Sequence, residues 1–145
     1  MKILPSQGIG AFIFGMKQKD VEKIAGKPNK SFEDEDGNKI YLYNEHKSRL
    51  TFYKDEEFRL GYIICTSPKV EVAGLPIFGL NVDEVKKKIH GKGLTAWEVD
   101  EIDTMTRHFN EKNWLTIVSE YDEIICTELG ATIDNSDNFV WKFKG

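Results

Sequence analysis

Two stretches of this 145-residue chain run in parallel, and a sequence that repeats itself at a fixed period has to be read as a repeated structural unit before anything else. Ile13-Phe14-Gly15-Met16, followed by Val21, Ile24 and Gly26, returns as Ile77-Phe78-Gly79-Leu80, followed by Val85, Ile89 and Gly91. The offset is 64 at the first Gly and 65 at the last. Leu50-Thr51-Phe52 returns 65 residues on as Leu115-Thr116-Ile117, and Ile63-Ile64-Cys65-Thr66 returns unchanged 61 residues on as Ile124-Ile125-Cys126-Thr127. Three blocks in the same order point to duplication, with a shorter hairpin in the second copy. The expected units are residues 1–66 and 77–145, joined by 67–76.

Each unit opens with a Gly-led loop and a short helix. Asp20-Val21-Glu22-Lys23-Ile24-Ala25 sets Val21, Ile24 and Ala25 on one face with an acid in the first turn, Gly26 stops it, and Pro28 forbids its continuation. In the second unit Asn81 is the expected N-cap, Val85 and Ile89 are four apart, Lys86, Lys87 and Lys88 stand toward the negative end of the helix dipole, and Gly91 ends the run. Helices this short do not stand alone in water, so each must lie on a sheet. The remainder alternates with a period of two: Phe32, the Asp36-Gly37 turn, Ile40 to Tyr43, Arg49 to Tyr53 and Leu60 to Thr66, then residues 96–102, 104–109, 114–119 and 123–127, with a last strand over 139–143. The predicted fold class is α+β, two repeats, each a short helix packed on a three- to four-stranded antiparallel sheet.

Charge and cysteine usage narrow the function. The net charge of −4 is mild, but the acids are bunched at Glu33 to Asp36, Asp55 to Glu57, Glu98 to Asp103 and Glu120 to Glu123. Bunched acids disfavour a phosphate backbone and suit a basic partner, so no nucleic acid is expected. No stretch nears the roughly 20 apolar residues of a membrane span. Pro5, Ser6 and Gln7 interrupt the start before any sustained apolar run, unlike an export signal, and two cysteines make no disulfide framework; the expected compartment is the cytoplasm.

The chemistry-bearing patterns are few. His46, His90 and His108 fall in no metal-binding or triad spacing, and Gly8-Ile9-Gly10 lacks the third glycine and the preceding strand of a dinucleotide loop. Asp34, Asp36, Asn38 and Glu45 match the ligand positions of a calcium loop, but Lys39 stands where the sharp bend needs Gly and the flanks read as strands, so the segment reads as a charged hairpin turn. Cys65 and Cys126 read as equivalent buried strand positions. No catalytic residue, metal or cofactor is expected.

The aromatic residues carry the binding expectation. With Ile40, Leu42, Leu50 and Phe52 facing the helix, alternation sends Tyr41, Tyr43, Thr51 and Tyr53 to the opposite face, and Tyr62 joins them. His108, Trp114 and Thr116 are their counterparts in the second unit. Aromatic residues ringed by acids make a protein interface, so the expected partner-binding set is Tyr41, Tyr43, Tyr53, Tyr62, His108 and Trp114 with the acids Glu33, Asp34, Glu35, Asp55, Glu56, Glu98 and Asp100. The competing reading packs the two sheets on each other through these residues.

Phe14-Gly15-Met16, then Val21, Ile24, Gly26 and Pro28, resembles the entry helix of the SmpA/OmlA-like and β-lactamase-inhibitor-like domains of bacteria. The second copy has Gly93 and no proline at the end of its helix. The resemblance implies paired helix-and-sheet units whose sheet grips another protein. An acidic two-unit chain of this type is similar to the immunity proteins that accompany contact-dependent bacterial toxins, which implies a basic toxin domain as partner. A general adaptor and a small-ligand carrier are the alternatives.

Overall fold

In the computed structural model, which describes residues 1–145, strands take 42% of the chain and helical turns 16%. Three short strands, β1 (Lys2–Leu4), β2 (Gly8–Ile9) and β3 (Phe12–Ile13), precede α1 (Gln18–Ala25). Four strands follow, β4 (Lys30–Glu33), β5 (Lys39–Tyr43), β6 (Ser48–Tyr53) and β7 (Arg59–Cys65), and then a small hairpin, β8 (Glu71–Val72) and β9 (Leu75–Pro76). After α2 (Val82–His90) come β10 (Glu98–Ile102), β11 (Met105–Asn110), β12 (Leu115–Glu120) and β13 (Glu123–Gly130).

The expectation of two repeats, each a helix on its own three- or four-stranded sheet, is overturned. The strands form one eight-stranded sheet in the order β10-β11-β12-β13-β7-β6-β5-β4, and a second sheet of five short strands in the order β3-β2-β1-β8-β9. The two halves are not separate bodies, because β13 pairs antiparallel with β7 through Thr127 opposite Cys65 and Leu129 opposite Ile63. Both strands are rich in buried apolar residues, and neither can end a sheet without leaving a row of backbone groups unpaired. The core is correspondingly continuous, a single cluster of 25 buried residues running from Ile3 and Phe14 through Leu50 and Ile63 to Leu115 and Leu129. Residues 67–76, read from sequence as a joint, supply the β8–β9 hairpin, and β8 pairs with β1 to complete the smaller sheet.

The seam also shows why matching letters misled. Cys65 stands opposite Thr127, so Thr127 shares its face, while Cys126, one residue back, points to the other face. The identical tetrapeptides therefore differ in facing at their cysteines, although Ile63 and Ile124 are both buried in the core, because the β12–β13 pairing shifts register between Val118 and Ser119. Cys65 is buried in the core and Cys126 is half-buried on the far side. Phe14 and Met16 are buried whereas their letter-matches Phe78 and Leu80 are exposed.

Both helices form where expected, but of the three residues expected on one packing face of α1 only Val21 is buried, Ala25 is half-buried and Ile24 is exposed. Lys17 N–H donates to the Asp20 carboxylate at 3.0 Å, closing the first turn of α1, and Gly26 ends it at a φ of 76°. Asn81 Oδ1 accepts from Asp83 and Glu84 N–H at 3.0 and 3.1 Å, capping α2. The strand expected over 139–143 is absent; Phe139 makes only an isolated bridge with Ile133, stacks on Trp141 with centroids 4.9 Å apart, and the segment reaches Phe14, whose carbonyl accepts from Phe143 N–H.

Candidate functional site

The large sheet has two unlike faces. One holds Tyr41, Leu50, Ile63, Thr127, Leu129 and Ile117 and belongs to the core, roofed by the helices and the small sheet. The other carries Arg49, Ile64, Glu128, Thr116 and Phe109 side by side on five adjacent strands, as the registers Arg49 with Ile64, Ile64 with Glu128, Glu128 with Thr116 and Thr116 with Phe109 require. The C-terminal segment shields only one end of this second face, where Phe139 lies against Tyr53 at 5.7 Å.

A charged cluster sits at its centre. Glu128, on an inner strand and nearly inaccessible, accepts from Arg107 Nη1 at 2.7 Å and Nη2 at 3.0 Å, one bond to each carboxylate oxygen, and from Tyr62 Oη at 2.6 Å. A carboxylate in such a position needs these partners, since a buried charge without them costs several kcal/mol. Burial raises the Glu128 pKa, but the hydrogen bonds from Arg107 and Tyr62 more than offset it, so the carboxyl stays below its ordinary value. Burial and the neighbouring carboxylate push the Tyr62 hydroxyl up, so it stays a donor. Burial, with Glu128 nearby, also pushes the Cys126 thiol up to about 12, which makes it a poor nucleophile. Arg49 lies 5.9 Å from the Phe32 ring centroid farther along the same face.

The predicted binding residues are dispersed. Tyr41 and Tyr43 belong to the core face, where Tyr41 Oη donates to Glu22 at 2.9 Å and Tyr43 Oη to the Gly26 carbonyl at 2.8 Å. Those bonds anchor α1, so neither tyrosine is free for a partner. His108 is also buried on the core side, with Nε2 3.0 Å from Ser119 Oγ and Nδ1 without a partner. Tyr53 is half-buried against Phe139, with its ring in the space that Gly61, lacking a Cβ, leaves open. Tyr62 and Trp114 do stand on the open face, Trp114 exposed and resting over Gly130. Glu33, Asp34 and Glu35 lie at the β4–β5 turn, and Asp55 and Glu56 at the neighbouring β6–β7 turn, where Asn38 Oδ1 accepts from Lys54 N–H. Glu98 and Asp100 are on β10, at the opposite edge of the sheet, so the acids do not form one patch. Glu33 pairs with Lys39, and the Asp34 carboxylate caps its own turn through Asp36 and Asn38 N–H.

Arg107, Glu128 and Phe109 escaped sequence reading. The first two lie 21 residues apart on strands separated by β12, a spacing with no local signature. The available signal was alternation alone: each is a charge between core-facing neighbours, His108 and Leu129 among them.

No known family matches the chain, and no curated protein matches it in sequence. Solved structures do resemble it in fold. An extracellular protein containing an SCP domain from Bacillus anthracis matches with a TM-score of 0.54 at 12% identity over 80% of this chain and 43% of that one. A cysteine-rich secretory protein from Staphylococcus aureus gives 0.55 at 15% identity over 88% and 46%. A DUF4309 family protein from Bacillus subtilis gives 0.51 at 14% identity over 88% of both chains. The chain therefore spans less than half the length of the first two and most of the third, and at these identities the likeness is one of fold alone.

Proposed function

We propose that this chain is a non-catalytic protein-binding module that presents the open face of its eight-stranded sheet to another protein. The observation that carries the reading is that face itself, on which Arg49 and Trp114 are exposed and Ile64 and Phe109 half-buried around the fixed Arg107–Glu128–Tyr62 cluster. Aromatic and arginine side chains of this kind dominate binding energy at interfaces, and a rigid sheet loses little entropy on docking.

The more specific form of the proposal is an immunity protein acting in the cytoplasm against a cognate, basic toxin domain. Its support is the excess of acids around the sheet, above all on β10 and the turns near β12, which would speed encounter with a cation-rich partner. Two of the fold neighbours are described as extracellular or secretory, so the compartment is part of what must be tested. The experiment is calorimetric titration of this chain against the product of the adjacent upstream gene. Tight binding that weakens at least tenfold on Ile64→Glu, and is unchanged by Ile24→Glu on the exposed side of α1, supports the reading. Absence of binding, or equal loss from both substitutions, overturns it.

A further inference from the structure

At the β10 end of the open face the sheet forms a groove of about 620 Å³, and its lining combines three aromatic residues with two acidic ones. Phe109 and Trp114 stand edge to face, centroids 5.1 Å apart and planes at 86°, so the pair offers one ring face and one ring edge at right angles. Trp97 also lines it, at the border with the helix-bearing side, where its indole packs partly against the core. Glu98, directly opposite Phe109 in the β10–β11 ladder, and Glu111, in the turn before Trp114, supply the acids, and Lys112 is the one cation on the rim. Gly130 makes the arrangement possible, because any Cβ there would collide with the Trp114 indole. Gly130 N–H donates to the Trp114 carbonyl at 3.0 Å, and Trp114 N–H to the Glu111 carbonyl at 3.2 Å, so the backbone that carries the ring is fixed on both sides.

Ring faces carry partial negative charge, and carboxylates carry a full one. A groove built from both attracts a cation with an apolar collar: the guanidinium of Arg or the ammonium of Lys, each on its methylene stem. The molecule already displays this preference on the other side of Trp97, where Lys86 Nζ sits 5.5 Å from the ring centroid in the adjoining groove beneath α2. An aliphatic side chain would gain the apolar contacts but leave Glu98 and Glu111 uncompensated.

We propose that the Trp97–Phe109–Trp114 groove, with Glu98 and Glu111, is the pocket that takes an arginine or lysine side chain of the partner protein. This rests on the open-face reading and names the chemistry by which that face selects a partner. The groove is at the face's acidic end, where a basic partner would first be drawn.

The test uses the whole chain without a partner. The three tryptophans, Trp97, Trp114 and Trp141, give three indole N–H signals in a two-dimensional NMR spectrum. N-acetyl-arginine amide is titrated in, with N-acetyl-norleucine amide as the uncharged control. Saturable shifts of the Trp97 and Trp114 signals, with Trp141 unmoved and a dissociation constant on the order of 10 mM, are expected for one side chain taken alone. The Glu98→Gln/Glu111→Gln double variant, whose altered side chains are exposed and make no hydrogen bond or ion pair, should weaken the arginine probe at least threefold and leave the spectrum otherwise folded. Equal shifts from the norleucine probe, movement of Trp141 to the same extent, or no shift at all would overturn the pocket. Normal partner binding by the double variant would overturn its role while sparing the open-face reading; no partner binding by the unaltered chain, with the arginine probe still bound, would overturn that reading and with it the protein source of the cation.

Discussion

Removing the guanidinium that faces Glu128 tests whether the centre of the open face is held together as described. In Arg107→Met the carboxylate, with its side chain 10% exposed, keeps only the Tyr62 hydroxyl. Stripping one partner from a fully buried pair costs about 3–5 kcal/mol, but the Arg107 side chain is 37% exposed and water reaches the site, which reduces the expected loss to about 2 kcal/mol. For a chain of this length that is a fall in Tm of about 4–8 °C. The pH dependence supplies an independent sign. In the native protein Glu128 has a folded pKa below its unfolded value, so its stabilisation is present above the ordinary carboxylate range and is lost as pH falls through the folded value. Without Arg107, burial dominates and the folded pKa rises, so the charged form destabilises the fold at neutral pH and relief comes on acidification. The deficit of the variant should thus be largest near pH 7 and shrink toward about pH 4. Urea unfolding followed by tryptophan fluorescence at both pH values measures it. Arg107→Met/Glu128→Gln should recover most of the loss, because the amide oxygen still accepts from Tyr62 and no charge is left unpaired. A deficit under about 0.5 kcal/mol, or one that does not change with pH, would refute the reasoning.

Three further outcomes are expected. Burial first, and Lys86 second, hold the His108 pKa below its ordinary value against the pull of Asp83 and Asp122, so stability should fall as pH drops below about 6.5, by up to about 1.4 kcal/mol per unit, until the folded pKa is passed; His108→Gln should lose that slope in thermal melts across the range. Gly130→Ala should cost about 1–3 kcal/mol by driving Trp114 from its seat, and adding Trp114→Ala should cost less in that background than in the native one, as a double-mutant cycle of melts would show. Both thiols, Cys65 buried and Cys126 with its pKa pushed up to about 12, should react slowly with a disulfide reagent at pH 8 in the folded protein and fully in denaturant; a fast-reacting equivalent in the folded state would contradict the placement of Cys126.

What could be read from sequence follows the range of each signal. Local signals held: Gly26 and Gly91 end the two helices, Asn81 caps the second, and the turn at Asp36-Gly37 joins β4 to β5. Alternation correctly divided each strand into two faces but could not say which face met the helix. The decisive fact is the register of the β5–β6 hairpin, which sets Tyr41 opposite Leu50 and Ile40 opposite Thr51; the expected grouping of Ile40 with Leu50 needed a turn of different parity. Tyrosine's hydroxyl then lets it serve as core, since Glu22 and the Gly26 carbonyl are within reach beneath α1. The small sheet was invisible because its strands are two or three residues long, too short for a period to register, although Ile9 and Phe12 within it are fully buried. The merger at β7 and β13 was hidden because pairing between segments more than 60 residues apart leaves no mark in either.

Docking of another protein on the open sheet face is the central proposal for this chain. Methyl cross-saturation NMR on the complex with the adjacent gene's product reads this directly, because only methyls within contact range of the partner lose intensity. Attenuation at Ile64, Ile102 and Met105, with Ile24 on α1 unaffected, is the predicted result. Attenuation centred on Ile24 or Phe78, on the helix-bearing side, with Ile64 untouched, would contradict it.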